Sequence, residues 1–248
     1  MTSKRVFSEI GLILAETTRS DVYLEFLVNE GFLPAFVLVM QNKANNALPG
    51  QVVTDPLGGI VQPQFEIAPQ SFRDKYSLLE RKLLENDIEY EISPSHDINA
   101  EVNIQILKRR PEFVFVYSGY GGVFLRAPIL AIGKKFLHVH GGYLPDYKGS
   151  TCNYFSILTD GKIGASSIFL TDKLDSGNVI VRRLFAPPKD KRNMDHLDDS
   201  ICRAKVLIET LKKYLADSYC WNFELEDNSK GEMYYIIHPL LKHIAILN

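Results

Sequence analysis

The sequence predicts an α/β fold, and three observations point to it. Short apolar runs of strand length alternate along the chain with stretches whose apolar residues recur at helical spacing. The runs, such as Phe36–Met40 (FVLVM) and Phe113–Tyr117 (FVFVY), read as buried strands, as a largely parallel sheet covered on both faces requires. The length, 248 residues, suits one large domain or one domain with a small extension.

The elements follow in order. Ile10–Ala15 reads as the first strand. Ser20 offers an N-cap to a helix carrying Val22, Tyr23, Phe26 and Leu27, and Gly31 ends it. Phe36–Met40 is the second strand. Asn42–Phe65, rich in Gly, Pro, Asn and Gln, reads as a long loop. Ser71–Asn86 carries Tyr76, Leu78, Leu79, Leu83 and Leu84 and is expected to be an amphipathic helix. Ile88–Ile92 is a third strand and Ala100–Arg109 a helix. Phe113–Tyr117 is a fourth strand that runs into the glycine loop Ser118–Gly122. A helix over Phe124–Ala131 precedes a fifth strand, Lys135–His140. Ser150 is expected to cap a helix that Gly161 stops. Gly164–Leu170 and Val179–Phe185 are two more strands, and Leu197–Ala216 is a long helix. The pattern is Rossmann-like: a catalytic domain over 1–216 and a small C-terminal extension over 217–248.

Composition narrows the function. The formal charge is −2, so no basic field draws the chain to nucleic acid. No apolar run is long enough to cross a membrane, and the N-terminus does not read as a secretory signal. Three cysteines, Cys152, Cys202 and Cys220, form no Cys-x-x-Cys pair and suit a reduced, cytoplasmic protein. Cys152 lies near two histidines, but nothing local lowers its pKa enough to make it a nucleophile.

The chemistry gathers in two segments. Phe136–Gly149 reads FLHVHGGYLPDYKG. Strand geometry puts His138 and His140 on one face, at the carboxyl end of a buried strand where sites in such sheets form. Gly141 and Gly142 let the chain turn there or let a ligand approach the main chain. Downstream, Ile168–Ile180 reads IFLTDKLDSGNVI. Its turn carries Asp172 and Asp175, and a carboxylate held between two strands can orient a histidine and stabilise its protonated form. Asp175 followed by Ser-Gly is also an ordinary turn pattern.

Together these segments resemble the folate-dependent formyltransferase family, from about Phe113 to Pro187, with a weaker fit from Ile10. The family pattern is a strand ending Asn-x-His, then Pro-Ser-Leu-Leu-Pro-x-Tyr-Arg-Gly, then a later Asp-x-Gly. Here His140 stands for the histidine. Leu144, Pro145, Tyr147, Lys148 and Gly149 supply the second element, and Asp175 and Gly177 the third. The resemblance implies a donor, 10-formyltetrahydrofolate, an amine acceptor and no metal. It implies that His140 stabilises the developing oxyanion or moves the amine's proton while Asp175 holds His140. It also implies that Tyr120, Gly121, Gly122, Val123 and Phe124 grip the pterin, with Asp172, Lys173 and Leu174 closing the other side. The sequence departs from the pattern where the family has asparagine: it has His138, which the resemblance makes the donor to the formyl oxygen. Gly141 and Gly142 replace the proline and serine.

Within the family, tRNA-acting members carry a C-terminal nucleic-acid-binding domain, which this length is not expected to accommodate. Purine-pathway members have a glycine-rich phosphate loop where this chain reads Glu16-Thr17-Thr18-Arg19-Ser20. The formyl-folate hydrolases carry a regulatory domain ahead of the catalytic one, and none fits before Ile10. The nucleotide-sugar N-formyltransferases remain the most similar group. The expected partners are a nucleotide-linked amino sugar and the folate donor, possible homodimerisation included, with neither nucleic acid nor membrane. Two other readings stay open. His138, His140 and Asp175 could bind a metal, or the domain could bind folate or nucleotide without catalysis.

Overall fold

The computed structural model describes residues 4–41, 77–221 and 226–247. Within them, seven strands form one sheet: β1 (Arg5–Ala15), β2 (Phe32–Met40), β3 (Tyr90–Ser93), β4 (Val114–Ser118), β5 (Lys135–His140), β7 (Ile163–Phe169) and β8 (Val179–Phe185). The spatial order is β3-β2-β1-β4-β5-β7-β8. The first five are parallel; β7 runs antiparallel to both β5 and β8. The expected α/β fold with a largely parallel sheet is therefore present.

Alternation along each strand explains why the runs are apolar throughout. Leu12, Leu14, Val37, Val39, Val114, Val116, Leu137 and Val139 enter one core cluster. Ile13, Ala15, Phe36, Leu38, Met40, Phe115, Tyr117 and Phe136 enter another. Successive side chains point to opposite faces, and both faces are covered. The first cluster is closed by α1 (Thr18–Asn29), α2 (Leu78–Glu85) and α6 (Asp199–Ala216), through residues such as Tyr23, Leu24, Leu83 and Leu207. The second is closed by α3 (Glu101–Arg109) and α4 (Ala127–Leu130), through Ile104, Leu107 and Ile129.

The remaining elements are β6 (Tyr147–Gly149), α5 (Cys152–Asp160), β9 (Glu232–Tyr234) and α7 (Pro239–Leu247). β9 pairs with β6 in parallel, and α7 packs against α5. Residues 232–247 thus pack on β6 and α5, which follow the histidine-bearing strand β5 in sequence.

Several boundaries differ from those the sequence suggests. β1 and β2 begin earlier, and their ladder slips between Phe7 and Gly11, where Phe7 faces Pro34, a residue with no N–H to give. Thr17, not Ser20, caps α1; its hydroxyl accepts from the Ser20 N–H, while the Ser20 hydroxyl lies 2.9 Å from that of Ser118. The helix expected over Phe124–Ala131 is a single turn that starts at Ala127–Pro128, where proline's fixed φ and missing N–H suit a first turn. Ser150 caps nothing. The residue before α5 is Thr151 in left-handed conformation, and its hydroxyl is engaged instead by Ser150 O and by the N–H of Ile237. A π-helical turn, Met194–Asp198, precedes α6. Ser77 opens α2 with a capping box to Glu80. The expected loop at Asn42–Phe65, and the start of the helix expected from Ser71, lie outside the described residues.

Candidate functional site

β5 delivers its histidines as the period-2 pattern requires, on the face it shares with Phe136. His140, the last residue of β5, is buried. Its Nε2 lies 2.8 Å from the carbonyl of Tyr147, and its Nδ1 lies 3.4 Å from Asp175 Oδ1. The second oxygen of Asp175 accepts from the Gly149 N–H at 2.9 Å. Asp175 is itself buried and adopts a positive φ of 47°, a conformation rare outside glycine. The structure therefore brings together His140 and the turn residue Asp175, the two residues that the family resemblance paired.

Both neighbours of the His140 ring are acceptors. A neutral imidazole satisfies one of them; an imidazolium satisfies both. Opposing forces set the balance. Burial pushes the His140 pKa down, Asp175 pulls it up, and the Arg203 guanidinium pushes it down again, with a net lowering. Arg203 is paired with Asp199 at 2.6 Å and donates to the Val139 carbonyl at 3.1 Å. Asn153 donates to the other oxygen of Asp199. This arrangement can take up a proton at His140 and hold it between two acceptors.

His138 is half-buried, and its Nδ1 lies 3.1 Å from the Tyr117 carbonyl. A carbonyl only accepts, so Nδ1 carries the proton and, in the neutral ring, Nε2 is an acceptor. Burial, followed by the guanidiniums of Arg19 and Arg203, lowers the His138 pKa well below its ordinary value. A measurable consequence follows for stability. With the folded pKa depressed, the unfolded chain binds the extra proton once pH falls below about 6.5. Stability lost in that direction is absent from a His138→Asn variant. Denaturant melts at pH 7.5, 6.5 and 5.5 should show the parent losing up to about 1.4 kcal/mol per pH unit relative to that variant. A pH-independent difference would show that the imidazole is not held neutral.

Gly141 and Gly142 serve packing rather than ligand approach, and neither has a positive φ. A Cβ on Gly142 would meet His140 Nε2 and the Tyr147 carbonyl at 2.6 Å. One on Gly141 would collide with Arg203 and Asp199. The space beside Gly141 and Gly142 is filled by protein atoms. Cys152 is buried there too, and burial pushes its thiol up to about 12, which removes it as a nucleophile.

The loop residues expected at the pterin lie at the carboxyl end of β4. Added Cβ atoms on Gly121 and Gly122 would meet nothing within 4 Å, so this main chain is open to a ligand. Tyr120 donates to the Met40 carbonyl at 2.9 Å, Val123 is half-buried, and Phe124 is exposed. Asp172, Lys173 and Leu174 are exposed on the β7–β8 turn. A cavity of about 550 Å³ opens between α4 and that turn, lined by residues including Ala127, Leu130, Phe136, Leu170 and Asp172. Of the residues expected to hold the donor, Asp172 alone lines it. Among the described residues no group of three His, Cys, Asp or Glu side chains is arranged to hold a metal.

Sequence reasoning passed over Arg19, Asp199 and Arg203. Arg19 donates to the Ser118 hydroxyl at 3.1 Å and to the Gly119 carbonyl, tying the start of α1 to the β4 loop. The spacing of Asp199 and Arg203 was visible as an i,i+4 pair, but on an amphipathic helix such a pair reads as a surface ion pair.

This chain belongs to the formyl transferase family, whose model matches residues 37–194, more than half its length. A methionyl-tRNA formyltransferase from Helicobacter pylori (strain P12) is 33% identical over 136 residues, 53% of this chain and 43% of the relative. The match thus spans less than half of that relative's length. Two solved structures share the fold. The phosphoribosylglycinamide formyltransferase from Bacillus halodurans superposes with a TM-score of 0.57 at 15% identity, over 89% of this chain and 100% of its own. The N-formyltransferase from Helicobacter canadensis, in complex with folinic acid and dTDP-3-aminofucose, gives 0.54 at 13% identity, over 92% of this chain and 71% of its own.

Proposed function

We propose that the protein transfers a formyl group from 10-formyltetrahydrofolate to the amine of a nucleotide-linked amino sugar, in the cytoplasm and as a homodimer. The observation that carries the proposal is the buried His140 imidazole, set between the Asp175 carboxylate and the Tyr147 carbonyl at the end of β5. The folate supplies an activated formyl carbon; the chain supplies position and proton handling. His140 accepts the proton that the attacking amine must lose, and Asp175 stabilises the resulting imidazolium. His138 turns Nε2, the nitrogen not bound to Tyr117, toward the formyl oxygen and donates to it once negative charge developing there draws a proton onto Nε2. Tyr120–Phe124 hold the pterin by exposed main chain, and Asp172–Leu174 cover it. Residues 1–216 make up the catalytic domain and 217–248 the extension. The amino-sugar acceptor is supported by the folate- and nucleotide-sugar-bound neighbour of like fold.

A second acceptor, methionyl-tRNA, is favoured by the curated relative; the net charge of −2 disfavours it. The discriminating experiment offers 10-formyltetrahydrofolate with a panel of nucleotide-linked amino sugars and, separately, with methionyl-tRNA. Formylated sugar is the expected product. Formylated tRNA alone would transfer the assignment to the second acceptor, and folate binding without any product would make the domain a binding module. A crystal soaked with a reduced folate should show the pterin against Tyr120–Phe124; a pterin elsewhere would remove those residues from the site.

A further inference from the structure

We infer that Asn228, in the segment after Cys220, is a positioning residue for the Asp175–His140 pair. The inference rests on the formyl-transfer reading given above. Asn228 is fully buried. Its carboxamide nitrogen donates to the main-chain carbonyls of Asp175 at 2.6 Å and Gly177 at 2.9 Å. Both neighbours only accept, so the nitrogen, not the oxygen, must face them. The main-chain carbonyl of Asn228, not its side chain, accepts from the buried ammonium of Lys148 at 2.6 Å. The next residue, Gly149, gives its N–H to the Asp175 carboxylate. The result is a closed clamp: β6 holds the Asp175 side chain and also Asn228, and Asn228 holds the Asp175 main chain.

The turn requires such a clamp. Asp175 has a left-handed φ with no glycine to make it easy, a state that persists when surrounding contacts over-determine it. The preceding stretch is tied in turn, because Glu226 exchanges two main-chain hydrogen bonds with Val179 at the start of β8. Asn228 lies outside the segment that matches the family model, so the clamp comes from a part of the chain that the family pattern does not cover.

Removing the carboxamide leaves two buried carbonyls without their donor and frees the turn that carries the carboxylate. The groups facing His140 are Asp175 from the turn, Arg203 and Asp199 from α6, His138 from β5 and Cys152 from α5. If Asp175 withdraws, the influence that raises the His140 pKa weakens while burial and Arg203 remain.

The test uses Asn228→Ala and the near-isosteric Asn228→Leu, which fills the space but cannot donate. Two readouts are taken beside thermal melts: kcat and KM for formyl transfer, and the titration of the His140 ring by NMR in the absence of substrate. Both variants should lose about 10- to 100-fold in kcat, the scale of a catalytic group displaced by about 1 Å, with KM for the amine within about threefold. Their His140 midpoint should move to lower pH. A lowered melting temperature with parental kcat and an unmoved His140 titration would overturn the inference. If the alanine variant does not fold, the leucine variant gives the same decision. A parent protein that transfers no formyl group defeats the functional reading instead, and the NMR titration still decides the clamp.

Discussion

Replacing His140 with alanine is expected to lower kcat/KM for formyl transfer by about 10²- to 10⁴-fold while the protein remains folded. The imidazole is the buried titratable group at the end of β5 with a carboxylate on one side and a carbonyl on the other. Alanine removes the proton acceptor and leaves the buried Asp175 carboxylate without its histidine. Asp175→Asn should cost about 10²-fold or more, because the amide keeps the shape but loses the charge that stabilises the imidazolium. The pH profile separates the two roles. In the parent the acidic limb follows protonation of His140, which lies below its ordinary value. Asp175 raises that pKa, so in the Asp175→Asn variant the limb should move to lower pH. Activity within tenfold of the parent in both variants would remove the pair from the mechanism.

His138→Ala is expected to lose roughly 2–4 kcal/mol of transition-state stabilisation, the usual cost of one oxyanion donor. The geometry sets a condition on that role. With Nδ1–H held by the Tyr117 carbonyl, Nε2 can donate to the formyl oxygen only in the imidazolium or in the other neutral tautomer. Burial and two guanidiniums oppose the first; loss of the Tyr117 bond opposes the second. Negative charge growing on the formyl oxygen favours a proton on Nε2, which ties the benefit to the transition state. An asparagine amide donates at every pH. His138→Asn should therefore keep substantial activity, and its kcat/KM relative to the parent should rise with pH. An alanine variant as active as the parent would reduce His138 to the packing role that its bond to Tyr117 already fulfils.

The sheet was largely legible because its chemistry is local. Lys135–His140 and Val179–Phe185 coincide with β5 and β8, since Gly133 and Gly141 flank the first run and Gly177 and Pro187 the second. The caps were less legible. Ser20 and Ser150 have the right side chains, but one hydroxyl is engaged with Ser118 and the other position is bypassed by Thr151. Such choices depend on neighbours that are distant in sequence. The same holds for the site. His140 and Asp175 could be paired through the family resemblance, one at the end of a strand and the other in the turn between two strands, whereas the Arg203 and Asn228 contacts depend on where α6 and the segment carrying Asn228 pack. Gly141 and Gly142 read as freedom for a ligand; the structure fills that space with Arg203, Asp199 and the Tyr147 carbonyl.

Both imidazoles are anchored to main-chain oxygens, His138 to Tyr117 and His140 to Tyr147. Every residue type supplies a carbonyl, so neither anchor depends on a tyrosine. Selection can therefore vary the side chain at position 117 while the chain path keeps its oxygen in place, and the ring orientation is inherited through the change. The orientation of both rings is thus set by the chain path of β4 and β6 rather than by the side chains that β4 and β6 carry there.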